Sequence, residues 1–513
     1  MQNDFKNIAI LTNNALWPVW LQKMAVTLLE VDSVQTITHF YPALQRPDIL
    51  MSICTSLFKV LEARSYNAAG IDAFATTQSK AAHTIIFETP DMLQKQITDN
   101  AIDLVICEGD IAFDIISALE GSSCKAVWQF NESWSTTIPP KAARAFLTKQ
   151  GYVTLTLSYI AAGTIKPLYQ TTSQISSLSL NRTIHQHFLK AALIPARVLS
   201  QKTGVKIEHG SVPYVNPLSQ REGCALSVAS LFRRIKHLFI KSDDMSWAIA
   251  LSKCRDTPHI ADNLTNMNKI IPPEGYFWAD PFLADDKDKH FLLFEEFSLE
   301  DHIGKIVATE ISGDHMIKTP KTVLSTSSHL SYPHIFSYHN QWYMVPETGN
   351  MERVDLYKAN DFPYNWDYMR TLIKGLRLFD ATLYSYQGRW WLFGTVAEKS
   401  LSDYDELHLF YTDNFLQGEW MAHALNPVIS DVRSARPAGA LFERNGKLYR
   451  PSQNSQERYG YGLVINEILE ITPQTYREQV IESITPDSDI SDIRGLHTFN
   501  RIDGICVIDF LQP

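Results

Sequence analysis

Three carboxylates and three cations stand out, because each sits at the same place in a recurring phrase of this 513-residue chain. Asp280 and Asp380 open aromatic-rich segments, Glu347 closes one, and Arg436, Arg450 and His497 occupy matching places further on. A carboxylate beside a sugar hydroxyl can accept its proton during glycosyl or acyl transfer. Fixed cations suit a phosphate, a carboxylate or a nucleotide-sugar diphosphate, and arginine is the residue for two-pronged contact with such groups. Together these six residues predict a mixed-charge pocket, with Asp280, Asp380 and Glu347 as its catalytic members. Arg436, Arg450, His497 and Glu296 form its binding wall, lined by the rings of Trp278 and Tyr332.

The segments that must position them repeat four times. Each copy runs from a turn with an acidic residue or proline into a strand, then a polar turn, then an aromatic strand. The copies are Phe277–Glu296, Tyr332–Glu347, Phe379–Phe393 and Ala435–Pro451, with turns at Asp285–Asp288, His339–Asn340, Gln387–Gly388 and Asn445–Gly446. A spacing of roughly 50 residues is that of one propeller blade. A fifth blade is expected from Gly495–Asn500 and Gly504–Ile508, closed by a strand near residue 247. The starts of the innermost strands then converge on the central channel, and the repeated phrase maps a site.

The N-terminal part reads differently. Ile8–Thr12, Thr36–Phe40, Asp103–Cys107 and Ala126–Phe130 are short apolar runs separated by helical patterns, as in a parallel sheet whose ligands sit beyond the strands' C-terminal ends. The boundaries predicted are an α/β domain over residues 1–210, a connector over 211–245 and an all-β five-bladed propeller over 246–513. Within the connector, residues 226–241 alternate Leu226, Leu231, Ile235, Leu238 and Phe239 with Arg233, Arg234, Lys236 and Lys241. Such a basic amphipathic helix suits either peripheral contact with an anionic membrane face or packing between domains.

Composition bounds the partners. Hydrophobic residues at 45% and charged residues at 20% describe an ordinary globular chain, and a net charge of −10 argues against nucleic acid. The 11 Trp, 21 Tyr and 25 Phe are concentrated after residue 270; such rings fill propeller cores and also stack on sugar faces. Six cysteines without a Cys-x-x-Cys pair or a close Cys/His spacing predict neither a zinc site nor a disulfide framework. No metal or cofactor is expected, because Gly-rich phosphate cradles are absent. The N-terminus lacks an export signal, which predicts a cytoplasmic protein, peripheral at the inner membrane face if the basic helix docks there.

Two resemblances follow from these motifs. Residues 103–170 resemble the core of the formyltransferase fold of methionyl-tRNA and sugar-nucleotide formyltransferases, in which an Asn-x-His-x-Ser strand end carries the chemistry. Here that stretch is Gln129-Phe130-Asn131-Glu132-Ser133, and Ala161 stands where the family's aspartate belongs. The resemblance implies a formyltransferase-like scaffold without the usual proton-transfer groups. The repeated phrase, with Ala435-Arg436-Pro437-Ala438-Gly439, Lys447-Leu448-Tyr449-Arg450-Pro451 and Tyr459-Gly460-Tyr461-Gly462, resembles the N-terminal propeller of glucosamine inositolphosphorylceramide transferases. More distantly it is similar to propeller glycoside hydrolases of the arabinanase and β-xylosidase type. By the latter resemblance Asp280 matches their base and Asp380 their pKa-tuning aspartate, whereas Arg436 stands where the general-acid glutamate belongs. Arginine cannot give up its proton in a protein, and an inverting hydrolase needs both an acid and a base. The expected protein therefore binds a sugar, sugar phosphate or nucleotide-sugar in surface-glycan or glycolipid biosynthesis, as a transferase acting in the propeller pocket. A non-catalytic carbohydrate-binding scaffold is the first alternative, and an atypical hydrolase using Glu347 as acid the second.

Overall fold

The computed structural model describes residues 5–12, 17–42, 76–77, 83–107, 122–132, 138–161, 164–200, 218–239 and 246–513, apart from short loops inside those spans. It divides into two compact units, Met1–Lys241 and Ser242–Pro513. The connector helix therefore counts with the N-terminal unit.

In the first unit, β1 (Asn7–Leu11), β2 (Thr36–Pro42), β3 (His83–Phe87), β4 (Leu104–Cys107) and β5 (Ala126–Phe130) are parallel. Two longer strands, β6 (Tyr152–Ala161) and β7 (Thr164–Gln174), continue the sheet antiparallel, giving the order β3-β2-β1-β4-β5-β6-β7. Central strands covered on both faces read as unbroken apolar runs, which is why Ile8–Leu11 and Leu104–Cys107 are buried at every position. Helices α1 (Val19–Leu29) and α4 (Leu180–Ser200) pack together, with Trp20 stacked on Phe188 at 5.0 Å. Between them in the chain lie α2 (Pro90–Asp99), capped by the Thr89 hydroxyl, and α3 (Pro140–Thr148).

Of the motif at the end of β5, Asn131 is spent on structure: its Oδ1 accepts the Thr156 N–H at 3.2 Å. Glu132, fully buried, accepts the Lys141 N–H at the start of α3 and pairs with His187 of α4 at 2.5 Å. Burial raises the pKa of Glu132, but the His187 charge and hydrogen bond outweigh it and hold the carboxyl below its ordinary value. Ser133 lies outside the described residues.

Helix α5 spans Gln220–Phe239, six residues further toward the N-terminus than the sequence pattern suggests. Leu226 is buried in the first unit's core, and Arg144 of α3 grips Glu222 at 2.7 Å, while Val228, Leu231 and Phe232 are exposed. The side chains of the basic turns beyond residue 232 lie outside the described residues. No helix among the described residues is long and apolar enough to cross a membrane.

The second unit is a five-bladed propeller, as the repeat predicts. It opens with β8 (Trp247–Lys253) and β9 (Asn268–Ile270). Blade one holds β10 (Tyr276–Asp286), β11 (Lys289–Ser298), β12 (Ile303–Ile311) and β13 (Lys321–Leu324). Blade two holds β14 (Ser331–Tyr338), β15 (Gln341–Glu347), β16 (Arg353–Asp361) and β17 (Asn365–Lys374). Blade three holds β18 (Leu378–Tyr386), β19 (Arg389–Val396), β20 (Glu406–Thr412) and the short β21 (Met421–Ala422) and β22 (Ile429–Ser430). Blade four holds β23 (Phe442–Arg444), β24 (Lys447–Asn454), β25 (Gly462–Ile471) and β26 (Tyr476–Ile484). The fifth combines β27 (Phe499–Ile502) and β28 (Ile505–Leu511) with β8 and β9, in the order β9-β8-β28-β27, and so closes the ring.

The polar turns fix the register. Lys287-Asp288, His339-Asn340, Gln387-Gly388 and Asn445-Gly446 all have φ between 50° and 76°, the left-handed pair that a two-residue hairpin with matching twist requires. Most of the aromatic residues go to the core: Trp366, Trp390, Trp391 and Phe393 are buried, and Phe415 packs on Trp390 at 4.3 Å.

Candidate functional site

With the hairpins set, the innermost strands of blades one to three break register at the same point. The shift falls between Ala279 and Phe282 in blade one, Ser331 and His334 in blade two, and Phe379 and Thr382 in blade three. At these three bulges sit Asp280, Tyr332 and Asp380, with φ of 52°, 41° and 54°. Non-glycine residues held there cost of order 1–3 kcal/mol each and persist only where their surroundings over-determine them. In blade four the matching stretch contains Gly439 at φ 127°, where an added Cβ would lie 2.0 Å from the Phe499 carbonyl oxygen.

The over-determination is visible. Each strained main-chain N–H donates to a carboxylate of the preceding blade: Asp280 to Asp509 at 2.9 Å, Tyr332 to Asp280 at 3.2 Å, Asp380 to Glu347 at 2.8 Å. The carboxylates thus form a relay around the channel. Asp509, on β28, is its most loaded member. It also accepts the N–H groups of His497 and Thr498 at 3.0 and 2.9 Å and lies 2.6 Å from His497 Nδ1. The other ring nitrogen, Nε2, faces Asp280 Oδ1 at 3.6 Å, and the Thr498 hydroxyl donates to the same oxygen at 2.9 Å. Trp247 stacks on the His497 ring at 4.2 Å, an approach open only because residue 460 is glycine.

Across the channel Asp380 takes Arg436. Nε donates to Oδ2 at 2.5 Å and Nη2 to Oδ1 at 3.3 Å, and Gln453 donates to Oδ2 at 3.0 Å. The guanidinium lies within an aromatic cage of Phe379, Tyr404 and Tyr459, with centroids at 5.5, 5.4 and 5.2 Å. Its Nη1 lies 3.6 Å from Asp403 Oδ2.

Burial sets the electrostatics. Desolvation pushes the Asp280 carboxyl up to about 6, with His497 pulling it down and Asp380 and Asp509 adding to the rise. Desolvation likewise lifts Glu347 well above the carboxylate range, reinforced by Asp380 and opposed by Arg436, and lifts Glu295, reinforced by Asp280 and Glu347. Burial disfavours the His497 cation, but Asp509 and Asp280 outweigh it and raise the imidazole above its usual value. The channel therefore holds two carboxyls pushed toward neutrality, an aspartate poised near 6 and a fixed cation.

The structure thus brings together Asp280, Glu347, Asp380, Arg436 and His497 of the residues predicted from sequence. Of the other four, Arg450, Glu296 and Trp278 are placed elsewhere, and Tyr332 sits in the ring of bulges with its hydroxyl already taken. Arg450 lies on the opposite side of β24 from Gln453, wholly buried, its guanidinium taken by Glu478 at 2.9 and 2.6 Å and by the Ser434 carbonyl at 2.6 Å. Glu296 accepts the Trp278 indole N–H at 3.0 Å and pairs with Lys305 at 3.1 Å, so both Glu296 and Trp278 are occupied within blade one. Tyr332 is fully buried and its hydroxyl bridges Thr382 and the Gly439 N–H, each at 2.8 Å, which makes it a brace between blades rather than a ring open to a ligand. Glu295 is 4% exposed and is the blade-one glutamate that feels the channel charges. Sequence reasoning missed Asp509, Tyr459, Thr498 and Gln453. The lone carboxylate in the apolar run Cys506–Leu511 was the available signal for Asp509.

Asp280, His497 and Asp509 offer ligand atoms within 4.8 Å of one another, the one such grouping among the described residues. The Asp509 oxygens are already committed to main-chain N–H groups and the imidazole.

Residues 264–492, which carry four of the five blades, match the family described as glucosamine inositolphosphorylceramide transferase 1, N-terminal. The propeller unit is similar to that domain. Among curated proteins, glucosamine inositolphosphorylceramide transferase 1 of Oryza sativa subsp. japonica is 35% identical over 215 residues, covering 40% of this chain and 29% of the relative. The Arabidopsis thaliana protein of the same name is 32% identical over 210 residues, covering 39% and 27%. The chain spans less than a third of the length of these relatives. Among solved structures, the Bombyx mori GH32 β-fructofuranosidase BmSUC1 aligns with TM-score 0.33 and 15% identity over 42% of this chain and 53% of its own. A family 117 glycoside hydrolase of Zobellia galactanivorans aligns with TM-score 0.34 and 11% identity over 52% and 91%.

Proposed function

We propose that the propeller channel is a sugar-transfer site of glycolipid or surface-glycan biosynthesis, taking a sugar phosphate or nucleotide-sugar as donor. One observation carries this reading. Asp280 and Asp380 are held in strained conformations at equivalent bulges, the first against His497 and the second against Arg436, inside a unit whose sequence relatives are named as transferases.

In this scheme Asp280 accepts the proton of an acceptor hydroxyl, whose oxygen attacks the anomeric carbon as the bond to the leaving phosphate breaks. His497 faces the same Asp280 oxygen and favours its ionised form once substrate is in place. The leaving group's negative charge meets Arg436 from the side of Nη1, where the neighbouring Asp403 side chain is 30% exposed. Asp380 aims the guanidinium and Glu347 pins Asp380 through its N–H.

A second reading is favoured by how fully the ring satisfies itself: a carbohydrate-binding module that keeps the geometry without turnover. Assays of sugar-nucleotide consumption by the full chain with lipid and glycan acceptors separate the two. Consumption abolished by Asp280→Asn supports transfer, saturable glycan binding without turnover on any donor supports the module, and release of reducing sugar from aryl glycosides supports a hydrolase with Glu347 as acid. For the N-terminal unit the formyltransferase likeness is likewise our proposal. It rests on the motif at the end of β5, and with Asn131 bonded to Thr156 it predicts no formyl transfer to amino-sugar nucleotides from a formyl-folate donor.

A further inference from the structure

The fifth blade is built from both ends of the propeller unit. Strand β8 pairs with β28 from Trp247↔Leu511 to Lys253↔Ile505, and main-chain hydrogen bonds rather than a hairpin join these strands. At the far end of that seam the Cys254 N–H donates to the Gly504 carbonyl at 2.9 Å, one position past the last ladder pair. Ser252 lies opposite Cys506, so Cys254 and Cys506 are diagonal neighbours on one face of the sheet, and their thiols are hydrogen-bonded to each other. Neither is joined in a disulfide; Cys506 is fully buried and Cys254 half-buried. Diagonal cross-strand positions are within reach of a disulfide when the strand end can shift slightly, and Cys254 lies just beyond the end of β8.

We propose that Cys254 and Cys506 form a redox-sensitive latch across the propeller seam, closed by exchange with a small disulfide of the glutathione class. The half-buried Cys254 thiolate attacks one sulfur of the small disulfide, forming a mixed disulfide and releasing one small thiol. Cys506 then attacks the Cys254 sulfur, expels the second small thiol and leaves a Cys254–Cys506 bond. Two protein thiols are oxidised, one small disulfide is reduced to two thiols, and the two protons pass to the leaving thiolates. A bond here closes a loop that contains almost the whole unit, which removes more freedom from the unfolded chain than a short loop would, the gain growing only logarithmically with length. The hydrogen bond shared with Cys254, and then burial, hold the Cys506 thiol above its ordinary value, so exchange should quicken as pH rises.

The test is peptide mapping by mass spectrometry of the folded full chain after incubation with oxidised glutathione, alongside a thermal melt. The expected result is a Cys254–Cys506 linked peptide and a raised melting midpoint, both reversed by reductant, with neither seen in Cys254→Ser. Cys107 and Cys124, which also lie near one another, provide the internal comparison. Linkage only at Cys107–Cys124, a glutathione adduct left unresolved on Cys254, no linked peptide, or a linked peptide with an unraised midpoint would overturn the proposal. Should the serine variant fail to fold, the wild-type map and melt still decide it.

Discussion

Arg436 donates through Nε to Asp380 Oδ2 at 2.5 Å, and both side chains are withdrawn from solvent. Here the channel holds a cation that cannot release a proton, aimed by the neighbouring blade's aspartate. Removing one partner of a buried pair leaves an uncompensated charge, typically at about 3–5 kcal/mol. Arg436→Ala should lose that much in urea unfolding of the propeller, and adding Asp380→Asn should recover part of it. Equal stability of the Arg436→Ala variant and the double variant would contradict a charge left stranded on Asp380.

The buried carboxyls give a pH prediction with a definite sign. Asp280 in the fold lies near 6 against an ordinary 3.8, and Glu295 and Glu347 are also raised. The folded state then binds more protons than the unfolded one, so their contribution is present at low pH and lost as pH rises above about 4 through the folded values. Glu347→Gln keeps an acceptor for the Asp380 N–H and cannot ionise. Its melting midpoint should therefore gain on wild type steadily between pH 5 and 8, whereas a constant difference would contradict the assignment.

Asp509 is predicted to be a positioning residue. Asp509→Ala strands the N–H groups of Asp280, His497 and Thr498, each left unsatisfied at about 1–3 kcal/mol. Chemical denaturation should show a loss of several kcal/mol. In Asp509→Asn, which retains one acceptor oxygen, stability should suffer less while the acid limb of the turnover profile moves, because His497 loses the charge that raises it. An unmoved profile would reduce Asp509 to a structural role.

Much of this was legible in the sequence for physical reasons. The hairpin pairs such as Asn445-Gly446 demand left-handed backbone, so they mark the blades and fix where Asp280 and Asp380 fall. The errors came from strand parity and from burial. A one-residue slip in a strand reverses the face, which is why Glu295 rather than Glu296 feels the channel and why Arg450 turns away from it. Tyr332 occupies the same bulge as the two aspartates, and nothing in its local sequence reveals that its hydroxyl is consumed by Thr382 and Gly439. Asp509 acts through contacts more than 200 positions distant in the chain, as its hydrogen bond with Asp280 shows, and no local pattern reports such a contact.

Asp280→Asn is the most direct test of the proposed chemistry. Asparagine tolerates the left-handed backbone, its one oxygen can accept the Tyr332 N–H while its amide N–H donates to the turned Thr498 hydroxyl, and it loses the charge that burial penalises. The full-length variant, compared with wild type for sugar-nucleotide consumption in the presence of lipid acceptor, should melt no lower at pH 7 and lose turnover by about two orders of magnitude or more. A variant that folds normally and turns over donor at the wild-type rate would contradict the assignment of Asp280 as the base of this channel.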